Sequence, residues 1–359
     1  MLLETVESLW RRARTLADDG RAAAALVAAL ADPYRPLMAH LVVTRRCNLA
    51  CGYCHEYDRD APPVPLATLC ERLDHLARLR TVIVTLTGGE ALLHPQIVEV
   101  VRAVRARGMV PVMNTNGYLL SKDRVRALGE AGLFAMQVSV DNVEPTATTV
   151  KSLRPLRRKL ELLARHARFR VRINTVLGSS APEEALAVAR AVGAFGFDAK
   201  CSLVRDGRGR VQPLDAQARA VYAQLERLGR RSPSYLSEDF QRVLLDRGQV
   251  EWKCRAGARY FTVCEDGLVH LCESSHGTPG TRLADYGEAD LRAAFHMRKA
   301  CAPTCAVAYA HQASRVDAWR GQDDAPTPIV KRSWGAPELV QLRVVRRSPL
   351  GDAATARPA

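Results

Sequence analysis

Six short apolar runs recur along one half of this chain: MAHLVVT (38–44), TVIVTLT (81–87), MVPVMNT (109–115), LFAMQVSV (133–140), FRVRINTVL (169–177) and FDAKCSLV (197–204). Each is apolar almost throughout and bounded by polar residues or glycine, as expected of a strand buried on both faces. Amphipathic helical patterns separate them, among them PLATLCERLDHLARL, HPQIVEVVRAVRARG and PEEALAVARAVGAFG. Strands of this kind alternating with helices predict right-handed βαβ units and a parallel sheet. Six units over residues 35–205 predict an α/β fold, a partial (β/α)6 barrel of TIM type. Chemistry in such folds gathers where strands end and lead into helices. That rule singles out Cys47, Cys51 and Cys54 after the first run and Gly88, Gly89 and Glu90 after the second. It adds Asn114 to Gly117 after the third, Ser139 and Asp141 at the fourth, and Asn174 in the fifth.

The remainder reads differently. Residues 1–34 are expected to form a helical segment; its opening, MLLETVESLWRRARTLADDG, lacks the basic start and cleavage site of a signal peptide. No apolar run approaches the length of a membrane span, so a cytoplasmic location without membrane attachment is expected. From 206 a turn-rich break, RDGRGRVQPLD, leads to helix up to about 246. A hairpin follows in CRAGARYFTVCEDGLVHLC, with EDG at its turn, so residues 206–320 are expected to form a small α+β domain rich in cysteine. The extension 321–359, ending GDAATARPA, is expected to be partly disordered. The formal charge of +14 comes from 52 Lys and Arg against 38 Asp and Glu. The arginines are dispersed over helical segments and aromatics make up only 6%, which speaks against nucleic acid as the partner.

Three of the ten cysteines fall within eight residues, CNLACGYC at 47–54. Cysteines clustered in a reducing compartment point to metal or catalysis more than to disulfides. The C-x3-C-x2-C spacing is one ligand short of a closed zinc site. A four-iron cluster held by three thiolates would keep one iron open to an external ligand. Iron, zinc and structural burial stay open on spacing alone.

With Tyr53 just ahead of the last cysteine, and with TGGEALLHP (87–95) at the end of the second strand, the chain resembles the radical S-adenosylmethionine superfamily. The resemblance implies a 4Fe-4S cluster on Cys47, Cys51 and Cys54 whose open iron binds the methionine part of S-adenosylmethionine. It implies reductive cleavage to a 5'-deoxyadenosyl radical that abstracts a substrate hydrogen, and Gly88, Gly89 and Glu90 as the motif that contacts the methionine amino group. Tyr53, Ser139, Asp141 and Asn174 complete the implied cofactor-binding set. Strand and helix capping would equally explain the last three.

Cys254, then Gly267 after twelve intervening residues, then Cys272 after four more, resembles the start of the C-terminal twitch and SPASM modules of this superfamily. Cys301 and Cys305 in CAPTC would complete four ligands for one auxiliary 4Fe-4S cluster, with Cys264 as a substitute ligand and zinc as the alternative metal. Cys70 reads as helix core. Cys201, in the sixth strand, is either a hydrogen donor facing the barrel interior or a packing residue. The resemblance also implies a flavodoxin- or ferredoxin-type electron donor. The expected substrate is a peptide or protein side chain, oxidised or cross-linked. A small-molecule dehydrogenase or epimerase, of aminocyclitol or sugar type, and a non-catalytic iron-sulfur or zinc scaffold are the alternatives. The segment KRSWGAPELVQLRVVRRS reads as either a leader-like strand or an edge strand. The absence of a recognisable N-terminal precursor-binding wing speaks against leader dependence, and the absence of a terminal Gly-Gly speaks against a GTP substrate.

Overall fold

The computed structural model describes residues 20, 23–54, 58–206, 209–229, 239–275 and 280–320. The helix expected over residues 1–19 and the tail 321–359 lie outside them. A helix over 23–31, α1, leads into β1 (Met38–Thr44). There follow β2 (Ile83–Gly88), β3 (Val110–Thr115), β4 (Ala135–Ser139), β5 (Arg170–Leu177) and β6 (Asp198–Leu203), all paired in parallel with their neighbours. The helices between and after them are α2 (Leu66–Arg78), α3 (Ile97–Ala106), α4 (Lys122–Glu130), α5 (Leu153–His166), α6 (Pro182–Gly193) and α7 (Ala216–Gly229). This is the expected partial barrel.

The helices bury one stripe each on the sheet. In α5, Leu156, Leu160 and Leu163 recur at the three-to-four spacing that makes one face, and all three are buried. Local chemistry sets the boundaries. Ser121 caps α4 by accepting from the Arg124 amide, and Pro182 occupies the first turn of α6, where its missing N–H costs nothing.

After α8 (Asp239–Arg247) the expected hairpin appears as β7 (Tyr260–Val263) and β8 (Leu268–His270), followed by β9 (Thr281–Arg282). These strands do not make a separate sheet. Among the described residues the strand order is β6-β5-β4-β3-β2-β1-β7-β8-β9, with β7 parallel to β1. The cysteine-rich region therefore extends the barrel sheet beyond its first strand. α9 (Glu288–His296) and α10 (Ala308–Arg315) complete it.

Candidate functional site

The C-x3-C-x2-C loop leaves β1 and is closed at its base by backbone bonds between Cys47 and Asp58 and between Asp58 and Arg45. Two glycines let β2 end against it. Gly88 has φ of +129°, and a Cβ there would lie 2.0 Å from the Thr44 carbonyl oxygen; a Cβ on Gly89 would lie 2.2 Å from that of Arg45. Backbone cannot yield as a side-chain tip can. Gly89→Ala is therefore expected to lower the unfolding free energy by about 1–3 kcal/mol and to reduce iron uptake, read from the thermal transition and iron content. Wild-type values of both would contradict this account.

Glu90 is placed beneath the cavity wall, only 1% exposed. Its carboxylate accepts from the Leu92 amide at 2.9 Å, the Thr115 hydroxyl at 2.6 Å and the Asn116 amide at 2.7 Å. Burial raises its pKa against those three bonds. In this geometry it ties the end of β2 to the end of β3. Asn116, from the NTNG turn, carries the tie onward: its Nδ2 donates to Asn48 Oδ1 at 2.8 Å and lies 3.9 Å from Cys47 Sγ. The Leu49 amide also donates to Cys47 Sγ, at 3.4 Å. Such N–H groups stabilise thiolate sulfur.

Cys47, Cys51 and Cys54 line a cavity of about 520 Å³ at the barrel mouth, with Gly88, Gly89 and Tyr53. Ser139 and Asn174 also line it; Asn174 accepts from the Ser202 hydroxyl at 2.8 Å. Asp141 lies behind the wall, fully buried, with Oδ2 accepting from the Tyr53 hydroxyl at 2.6 Å. Burial raises its pKa and that of Tyr53. The cavity wall also brings in Lys151, Lys200, Arg205, Glu273 and Tyr309, none of which belongs to a motif. Arg205 pairs with Glu273, and the Tyr309 hydroxyl donates to Asn114 Oδ1 at 3.3 Å.

Cys201 is not brought to this cavity. Lys200 and Ser202 line it, and the intervening Cys201 packs against the buried cluster that includes Leu177, Leu186 and Ala189, on the helix side of the sheet. Strand alternation fixes that outcome.

Three members of the second set lie in one region, and Cys301 is exposed. Cys254 and Cys305 share a buried cluster against which Cys272 packs. Burial pushes the Cys254 thiol up to about 11 and the Cys305 thiol up to about 12, and charge on Cys272 and Cys301 adds to each. Lys299, held by its bond to the Cys254 carbonyl at 3.1 Å and pulled by burial to about 8, faces the same thiols. Burial raises the pKa of the Cys272 thiol as well, and three buried thiols of this kind stay protonated unless a cation takes their protons' place, which is what a metal centre does. Cys264, at the end of β7, has a different neighbourhood: the Arg72 guanidinium donates to its carbonyl at 3.0 Å. Cys70 is half-buried on α2.

Residues 41–199 match the model of the Radical SAM superfamily. This part of the chain is a domain of that superfamily. Its members bind a 4Fe-4S cluster with S-adenosylmethionine, and the SPASM-type members carry auxiliary clusters. The chain is 36% identical over 109 residues to a GTP 3',8-cyclase of Microcystis aeruginosa, covering 28% of this chain and 33% of that one. It is 35% identical over 117 residues to a PqqA peptide cyclase of Gluconobacter oxydans, covering 32% of each. The matched region thus spans about a third of the length of these relatives. In fold the chain is similar to Streptococcus suis SuiB bound to its precursor peptide SuiA, with a TM-score of 0.55 and 16% identity over 74% of this chain and 68% of that one.

The residues of this radical SAM domain suit the group. Among the described residues, no three His, Cys, Asp or Glu side chains converge closely enough to hold a single metal ion. Three thiols spread around one cavity suit a larger cluster that takes one thiolate per iron. No helix among the described residues is long and apolar enough to cross a membrane.

Proposed function

We propose that this chain is a radical SAM enzyme that modifies a peptide or protein side chain, by oxidation or cross-linking. One observation carries the reading: one cavity is lined both by the three cluster thiols and the two motif glycines and by Lys200, Arg205, Glu273 and Tyr309. A cofactor and a polar substrate would meet there. In this reading Cys47, Cys51 and Cys54 ligate the cluster, and Cys254, Cys272, Cys301 and Cys305 ligate one auxiliary cluster. Gly88, Gly89, Tyr53, Ser139 and Asn174 shape the S-adenosylmethionine pocket, and Glu90 and Asp141 brace it from behind. Bound there, cluster and S-adenosylmethionine supply a 5'-deoxyadenosyl radical for hydrogen abstraction.

The chain's own residues do the rest. The strand ends hold the reacting groups in fixed positions. The polar wall contributed by β6 and by the cysteine-rich region would orient the substrate. The similarity to a PqqA peptide cyclase and to SuiB in complex with a peptide supports a peptide over an aminocyclitol or sugar. The barrel, residues 35–205, would then supply the radical chemistry and residues 206–320 the auxiliary site. A ferredoxin- or flavodoxin-type donor would supply the electron, its acidic surface suiting a chain of net charge +14. All ten cysteines are free, which supports a reducing, cytoplasmic setting.

The test is anaerobic reconstitution with iron and sulfide, followed by dithionite and S-adenosylmethionine. About eight irons per chain and formation of 5'-deoxyadenosine are expected. A fully loaded, reducible protein that binds no S-adenosylmethionine would instead be a scaffold.

A further inference from the structure

The segment between β4 and α5 folds back on the cluster loop. The Gly52 amide donates to the Thr148 carbonyl at 2.8 Å, and Thr149 Oγ1 lies 3.7 Å from Cys51 Sγ. Thr149 also donates to Asp141 Oδ2 at 2.8 Å, the oxygen that accepts from Tyr53. The next link is Lys151, whose Nζ donates to the Tyr53 hydroxyl at 3.1 Å and lies 5.1 Å from the centre of the Tyr53 ring. The Asp141 amide closes the circuit on the Lys151 carbonyl at 2.7 Å. An unbroken series of contacts therefore joins a cluster thiol to an ammonium that lines the same cavity.

The charges around that ammonium give it a role. Two buried carboxylates, Glu90 and Asp141, already adjoin the cavity at 1% and 0% exposure. Reduction of a cluster on Cys47, Cys51 and Cys54 adds a further negative charge beside them. Of the other cations on the cavity wall, Arg205 is paired with Glu273 and Lys200 sits 5.6 Å over the Tyr309 ring. Lys151 is the one bonded to the cluster loop, through Tyr53.

We propose that Lys151 is a positioning residue that sets the reduction potential of the cluster on Cys47, Cys51 and Cys54, placing a fixed positive charge against the cluster loop through Tyr53 and Asp141. This rests on the reading given under the proposed function. One electron, from a ferredoxin- or flavodoxin-type donor, enters the cluster, and the charge of Lys151 stabilises the reduced form. The Lys151 ammonium donates to Tyr53, and Tyr53 in turn donates to the Asp141 carboxylate.

The experiment is a dithionite titration of the reconstituted full chain, followed by electron paramagnetic resonance of the signal that S-adenosylmethionine perturbs. Lys151→Met is expected to lower the potential and Lys151→Arg to restore it towards wild type. Asp141→Asn, which removes a negative charge from the same circuit, is expected to raise it. Opposite shifts are what charge predicts, whereas loosening of the loop would move both variants the same way. Shifts of one sign, or a wild-type potential in iron-replete Lys151→Met, overturn the proposal. Should Lys151→Met fail to retain iron, Asp141→Asn decides alone, and an unchanged potential there is fatal. A wild-type chain that assembles no reducible cluster overturns the underlying enzyme reading instead, a result that a missing shift cannot mimic.

Discussion

Cys51→Ala is expected to remove about four of about eight irons and to abolish 5'-deoxyadenosine formation while leaving an auxiliary cluster in place. Cys51 is the most enclosed of the three loop thiols, at 4% exposure, and alanine in its place cannot ligate iron. The packing lost with one sulfur is small, and the loop retains its backbone bonds from Gly52 to Thr148 and from Cys47 to Asp58. The protein should therefore fold and fail only at the cluster. Cys272→Ala is the complement: the other four irons are lost, and cleavage of S-adenosylmethionine in the absence of substrate persists. Iron analysis together with chromatography of the nucleoside product separates the two sites. Retention of 5'-deoxyadenosine formation by Cys51→Ala would remove the assignment of the loop thiols. Loss of all iron from either variant would mean that the two thiol sets do not form independent centres.

The two thiol sets differ in how visible they are in the sequence. The first is local: three cysteines, an aromatic and a glycine pair sit at the ends of two neighbouring strands, and β1 and β2 run side by side in register from Met38–Ile83 onward. The runs themselves were legible because parallel strands buried on both faces leave little room for polar residues. The expected start of the second run, Thr81, falls before the strand because its amide bonds to the Leu76 carbonyl at the end of α2. Lys151 was hidden for a different reason. It reads as part of the helical pattern VKSLRPLRRKLELLARHA, yet α5 begins at Leu153 with Ser152 at its cap position. A lysine just ahead of a helix start opposes the helix dipole, and that is the one local sign that its charge is held by something else. Tyr309 and Glu273 carry no local sign at all. The return of the chain beside β1, which pairs β7 with it, brings them to the barrel mouth.

Asp317→Ala is expected to cost about 3–5 kcal/mol of unfolding free energy, the usual result of stripping one partner from a buried ion pair. The partner is Arg259, 0% exposed, whose Nε and Nη2 donate to the two Asp317 carboxylate oxygens at 2.6 and 2.7 Å. Its Nη1 donates to the carbonyls of Ala29, Asp32 and Arg35 at 2.9, 2.8 and 2.8 Å. One guanidinium thus gathers the end of α1, the approach to β1 and the segment after α10. Without Asp317 it stays buried with two of its three nitrogens, Nε and Nη2, unmatched. Replacing both partners by apolar residues, as in Arg259→Met with Asp317→Leu, is expected to recover part of the loss, because the desolvated charge goes too. The three carbonyls left without a donor limit that recovery. Denaturant unfolding of the metal-free chain reads all three values, and a single-site loss below about 1 kcal/mol would mean that the pair is solvated in solution. The consequence reaches the auxiliary site, since Arg259 lies between Cys254 and Cys272 and its carboxylate partner lies beyond Cys305. A chain weakened at this pair should lose iron from the auxiliary centre before it loses iron from the barrel loop, whose ligands hang from β1 and β2.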